Sequence, residues 1–124
     1  MAAALFEKSL TNEQKEKVEI KSAGVATFGG DMATEGAISA MKSRQIDISN
    51  HRSSALKFSD LSDTDLFVCM SQSHKAVLSA NGVSDEKIIC LEVSDPFGCD
   101  IEVYEECAEE IAQKLSEVKE KINL

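Results

Sequence analysis

Hydrophobic positions in this chain alternate between a helical rhythm and short unbroken runs. Ala2, Ala3, Leu5, Phe6 and Leu10 form one helical stripe, and no Gly or Pro interrupts residues 2–16, so a helix is expected over that stretch. VEIKSAG (18–24) reads as a strand closed by a glycine, and VATFGGDMAT (25–34) as a loop. Thr34 is placed to cap a helix with Glu35 in its first turn, Ile38 and Met41 on its inner face, and an end near residues 43–45. Residues 46–63 are polar and mixed, suiting a loop plus a short helix at 56–61.

DLFVCM (65–70) is a continuous apolar run, as expected of a strand buried on both faces. SQSHKAVLSANG (71–82) follows as a helix, started by Ser71 or Ser73 and stopped at Asn81-Gly82. KIICLEV (87–93) is a further buried strand. In the last helix, expected over 100–121, Tyr104, Ala108, Ile111, Leu115, Val118 and Ile122 step by 4, 3, 4, 3 and 4, which makes one core-facing stripe. Glu102, Glu105, Glu106, Glu109 and Glu110 take the opposite face, several of them near the helix N-terminus, where the dipole favours carboxylates.

Helices and strands therefore alternate along the whole chain. Such an order implies an α/β fold, a parallel sheet with helices on both faces. The 124 residues are enough for one domain with a real core and too few for two. No repeat, low-complexity tract or linker divides residues 1–124, and a single domain is expected.

Charge and cysteine usage narrow the function classes. The net charge is −9, the only arginines are Arg44 and Arg52, and no basic run exists. Nucleic-acid and anionic-membrane binding are not expected, because phosphate contacts need clustered Lys and Arg. No stretch approaches a membrane span. MAAALFEKSL lacks the basic start and cleavage site of a secretory signal, so a cytoplasmic location is expected. Cys69, Cys90, Cys99 and Cys107 include no C-x-x-C pair, so neither a zinc knuckle nor a thioredoxin-type pair is indicated, and no metal or cofactor is expected. In a reducing cytosol they are read as free thiols, Cys69 and Cys90 as small core residues.

Ligands of open α/β sheets bind at the carboxyl ends of the strands. Ser22-Ala23-Gly24, Met70-Ser71-Gln72 and Ser94-Asp95-Pro96 all fall at that edge, and Asp95 is the only acid among them. Pro96 stiffens the backbone beside it, and a carboxyl so held can protonate a leaving group. Asp-Pro is also an ordinary way to start a turn.

At this point the chain resembles the low-molecular-weight protein tyrosine phosphatase family, which includes bacterial protein arginine phosphatases. The matching pieces are MAAALFEKSL, KSAG, GAISAMKSRQIDISNHRSSAL, DLFVCMSQSHK and SDPFGCDIEVYEECAEEI, in the family's order and covering essentially the whole chain. The resemblance implies a three-layer α-β-α fold on a short, four-stranded parallel sheet. It implies a two-step reaction in which a cysteine thiolate takes the phosphoryl group, and an aspartic acid protonates the leaving group and then activates water. By its place in DPFG, Asp95 matches that acid. Phe28 and Phe97 match aromatic walls that sandwich the substrate side chain. Ser22 in KSAG and His51 in NHRSS match polar residues that brace the phosphate loop. The implied partner is a phosphorylated protein or a small phosphomonoester.

One departure stands against the resemblance. The family's nucleophile lies in C-x5-R-S/T, whose backbone N–H groups and arginine hold the phosphate. No cysteine among these residues is followed six positions later by arginine. Cys69, five residues, then Lys75 is a decoy, with no glycine for the cradle and no bidentate fork. Met1-Ala2 aligns with the opening of the family's first helix, so 1–124 is read as a phosphatase-like domain truncated at its N-terminus and inactive as written. The absent strand would lie between 18–23 and 65–70. Three outcomes are open: 18–23 closes directly onto 65–70, the opened sheet edges form an oligomer, or a longer protein supplies the strand. Two alternative functions stand beside the phosphatase: a non-catalytic binding or regulatory module, and an arsenate reductase of the same fold.

Overall fold

The sheet is built from the two unbroken apolar runs. In the computed structural model, which describes residues 1–24 and 29–123, β1 (Phe67–Cys69) and β2 (Ile88–Cys90) run parallel. Phe67 lies opposite Ile88, Val68 opposite Ile89 and Cys69 opposite Cys90. Pairing continues past the strand ends, where the Leu91 N–H donates to the Cys69 carbonyl and the Val93 N–H to the Met70 carbonyl, each at 2.8 Å.

Alternation along the strands sorts their side chains onto two faces. Leu66, Val68, Met70, Ile89, Leu91 and Val93 pack into a large cluster with helices α1 (Ala2–Ser9), α3 (Glu35–Lys42) and α6 (Ile101–Lys121). Phe67, Cys69, Ile88 and Cys90 face a smaller cluster with Leu78 of α5 (Gln72–Ala80), Val83, Leu56, and Leu61 of α4 (Phe58–Asp63). The fold is thus α/β, a three-layer α-β-α arrangement on a short parallel sheet. Coverage on both faces is why 65–70 and 87–93 carry no polar alternation.

Between α3 and α6 the contact is close. Met41 is wholly buried, and the expected stripe of Tyr104, Ala108, Ile111, Leu115 and Val118 is buried against the sheet and α1. Gly36 faces the Tyr104 ring so tightly that a Cβ would meet it at 2.3 Å. Thr34 caps α3, its hydroxyl accepting from the Ala37 N–H at 3.3 Å and donating to the Tyr104 hydroxyl at 3.1 Å.

Several expectations need correction. Residues 2–16 are two helices rather than one. Leu10 is extended, and Thr11 opens α2 (Asn12–Lys17) with a reciprocal capping box to Gln14, a stop-and-restart signal inside the apolar stripe. α3 ends at Lys42, and the short helix is Phe58–Asp63, slightly displaced from 56–61. The strand expected at 18–24 does not form. Val18 and Ile20 pack against the large cluster, but Glu19, Lys21, Ser22 and Ala23 are exposed, and among the described residues only Gly24 bridges, to Ala55. A strand needs a neighbouring ladder. No described residue of 65–70 supplies one, so 18–23 has not closed onto β1. Among the described residues no helix is long and apolar enough to cross a membrane.

Candidate active site

The carboxyl edge of the sheet is shaped by how β1 and β2 end. β1 passes through Met70 into Ser71, whose hydroxyl caps α5 by accepting from the His74 N–H at 3.4 Å. β2 ends more abruptly. Glu92 has φ +55°, a left-handed conformation that side chains rarely adopt. Two side chains hold this kink through three hydrogen bonds. Gln72 Nε2 donates to Glu92 Oε1 at 2.8 Å, and Lys114 Nζ donates to the Leu91 carbonyl at 2.8 Å and to the Glu92 carbonyl at 3.3 Å. Lys114 is itself paired with Glu110 at 3.0 Å.

Beyond the kink, Asp95 and Phe97 are presented to solvent on a fixed turn. Pro96 is buried and anchors it. The Cys99 N–H donates to the Pro96 carbonyl at 2.9 Å, with Gly98 at φ +81°, the conformation that a type II turn demands at its third position. Asp95 Oδ1 accepts from the Phe97 N–H at 3.0 Å, which fixes the carboxyl against the turn while the residue stays exposed. Phe97 stands out from the surface with 74% of its area exposed. Its ring borders an open cleft of about 850 Å³ that Thr34, Glu35, Asp100, Ile101 and Tyr104 also line; Asp95 is not part of that lining.

The start of α1 packs beside the same loop. Cys107, on the inner face of α6, has its Sγ 3.8 Å from the Ser94 carbonyl, to which it donates. Burial pushes its thiol up, Glu110 and Asp95 add to that, and the Met1 ammonium opposes it. Burial in turn holds the Met1 ammonium below its ordinary range. Met1, Cys107 and Asp95 therefore share one neighbourhood. Neither Cys107 nor Lys114 was singled out from sequence. The cysteine of VYEEC was visible there, but a helix lysine that reaches a strand exit carries no local signal.

The remaining expected residues are more scattered. Ser22 and His51 are exposed, and no hydrogen bond among the described residues joins either to Asp95 or Phe97. Their segments do meet, through the Gly24 N–H to the Ser54 carbonyl at 2.8 Å and the Leu56 N–H to the Gly24 carbonyl at 2.9 Å. Phe28 lies outside the described residues. No group of three or more His, Cys, Asp or Glu among the described residues is placed to hold a metal ion. Residues 88–113, which carry the whole Asp95 turn, contain no Lys or Arg.

Comparison with known proteins decides the family. The model of the low molecular weight phosphotyrosine protein phosphatase family matches residues 1–123. The chain belongs to that family. A protein-arginine-phosphatase of Bacillus subtilis is 30% identical over 132 residues, covering 98% of this chain and 87% of the relative. Among solved structures, the YwlE arginine phosphatase from Geobacillus stearothermophilus superposes with a TM-score of 0.84 at 31% identity, covering 98% of this chain and 82% of that one. A low molecular weight protein tyrosine phosphatase from T. tengcongensis superposes with a TM-score of 0.80 at 32% identity, covering 97% and 88%.

Proposed function

We propose that this chain is the acid-bearing part of a cysteine-dependent phosphatase acting on phosphorylated proteins in the cytoplasm, with Asp95 as general acid. The observation that carries the reading is the exposed Asp95 carboxyl, fixed on the buried Pro96 and beside the projecting Phe97 ring. A carboxylic acid at that place protonates the leaving nitrogen or oxygen as the phosphoryl group moves to a cysteine thiolate. It then takes a proton from the water that hydrolyses the phosphocysteine. Phe97 supplies one wall for the substrate side chain, and Phe28 is proposed as the other. Ser22 and His51 are proposed to brace the phosphate loop from the joined 24/54–56 segments.

Residues 1–124 contain no Cys-x5-Arg, so turnover is proposed to require a strand and loop that are not among them. The curated relatives bear the name protein-arginine-phosphatase, which makes a phosphoarginine protein the first substrate to try, ahead of phosphotyrosine.

The test joins an in-frame segment carrying that strand and loop to residue 1 and assays phosphoarginine and phosphotyrosine peptides. Turnover is expected in the longer chain and not in 1–124 alone. Asp95→Asn should cut it by at least ~10²-fold. An unchanged rate removes Asp95 from the mechanism.

A further inference from the structure

Two thiols lie face to face in the sheet, away from Asp95. Cys69 and Cys90 are register partners on neighbouring parallel strands. Both point to the α5 side, where they share one cluster with Leu78, Val83 and Ile88. Adjacent strands lie roughly 4.8 Å apart. Disulfides span Cα separations of about 4.4–6.8 Å, so paired residues on one face are within bonding reach. Both cysteines are free. Cys69 Sγ donates to the Ser71 carbonyl at 3.7 Å, and burial together with the Cys90 neighbour pushes the Cys69 thiol up to about 11, with Lys75 acting the other way.

We propose that Cys69 and Cys90 form an oxidation site that closes to a cross-strand disulfide in the presence of a hydroperoxide. The asymmetry of exposure sets the order. Cys69 is 7% exposed and Cys90 half-buried, so the peroxide meets Cys90 first. The Cys90 sulfur attacks the O–O bond; an S–O bond forms, the O–O bond breaks, and the distal oxygen leaves as water, or as an alcohol from an organic hydroperoxide. The Cys69 sulfur then attacks the Cys90 sulfenic sulfur. The S–S bond forms, the S–O bond breaks, and a second water carries off the Cys69 proton. Two thiols lose two electrons, and the two peroxide oxygens gain them. A slow second step is expected, because Cys69 stays protonated at neutral pH.

This site asks nothing of the phosphatase reading and is tested on the chain as it stands. Folded protein is treated with hydrogen peroxide, quenched by alkylation, and digested with trypsin and a glutamate-specific protease. The latter separates Cys90 from Cys99 and Cys107 by cutting after Glu92. The expected product is a chain lighter by two hydrogens, with the Cys69 and Cys90 peptides linked, and the link is lost on reduction. Cys90→Ser should abolish that link and leave Cys69 unmodified. In urea-unfolded protein the Cys69–Cys90 link should lose its place to the closely spaced pairs Cys90–Cys99 and Cys99–Cys107, whose shorter loops cost less to close. The proposal is overturned if Cys90 runs on to sulfinic acid with Cys69 still free, if Cys69 links to Cys99 or Cys107 instead, or if only intermolecular links appear.

Discussion

Lys114 ties the last helix to the exit of the second strand, its Nζ reaching the Leu91 carbonyl at 2.8 Å and the Glu92 carbonyl at 3.3 Å. These carbonyls lie shortly before the turn that carries Asp95, and no Lys or Arg occurs between residues 88 and 113. Lys114→Met keeps the apolar stem and removes the donor. It should cost up to about 1.5–3 kcal/mol of stability in urea unfolding, the range for hydrogen bonds to a charged group. In a chain carrying the nucleophile loop it should also lower kcat, since the acid's support is loosened.

Phe97 separates substrate contact from folding. With 74% of its area exposed, it contributes little to the core, so Phe97→Ala should leave urea stability within about 0.5 kcal/mol. If its ring is a wall of the substrate site, kcat/KM in the longer chain should drop by about tenfold, the loss of one aromatic contact. A drop in stability with no kinetic change would assign the ring to packing.

Gly36 and the Tyr104 ring cannot both keep their places once a methyl is added. Gly36→Ala places its Cβ 2.3 Å from a buried ring that is held by Thr34. Helix propensity would favour alanine by about 1 kcal/mol. Overpacking costs about 1–3 kcal/mol, and at this distance it should dominate, lowering the thermal midpoint. In a Tyr104→Leu background the same change should cost less, which a double-mutant cycle would read.

The Cys69 thiol gives the alkaline limb of stability a definite sign. Its folded value, about 11, lies above the ordinary 9.0. The folded state therefore holds its proton where the unfolded chain has lost it. That contribution is complete below pH 9 and disappears as pH rises toward 11. Thermal midpoints should fall across that window, and Cys69→Ala should flatten the fall even if its overall stability is lower.

Much of the architecture was legible because it rests on local chemistry. The 3-4 spacing of Tyr104 through Val118 defined α6, Thr34 and Ser71 defined two helix starts, and the unbroken runs around Val68 and Ile89 defined the sheet. The turn at Asp95-Pro96 was readable for the same reason, whereas the roles of Asp95 and Phe97 rest on the family resemblance. The segment 18–24 failed because a strand is a relation between two chains of atoms. Its sequence carries β-propensity but no information about a partner. Lys114 and the Met1–Cys107 contact were invisible for a similar reason, since each joins residues far apart along the chain. The break at Leu10-Thr11 was legible in principle. Thr11 and Gln14 spell a capping box, but the apolar stripe outweighed it.

The two faces of the sheet differ in size, and that difference orders how the molecule comes apart. Among the described residues, fourteen buried ones form the cluster that α1, α3 and α6 share with one side of the sheet, whereas four form the cluster on the α5 side. Regions with fewer buried apolar contacts open at lower free energy. The α4–α5 layer, held by the smaller cluster, is therefore expected to open before the side that buries Tyr104, and hydrogen exchange of α5 should be faster than that of α6. Which side is held more tightly is set by the parity of residues along strands only three residues long.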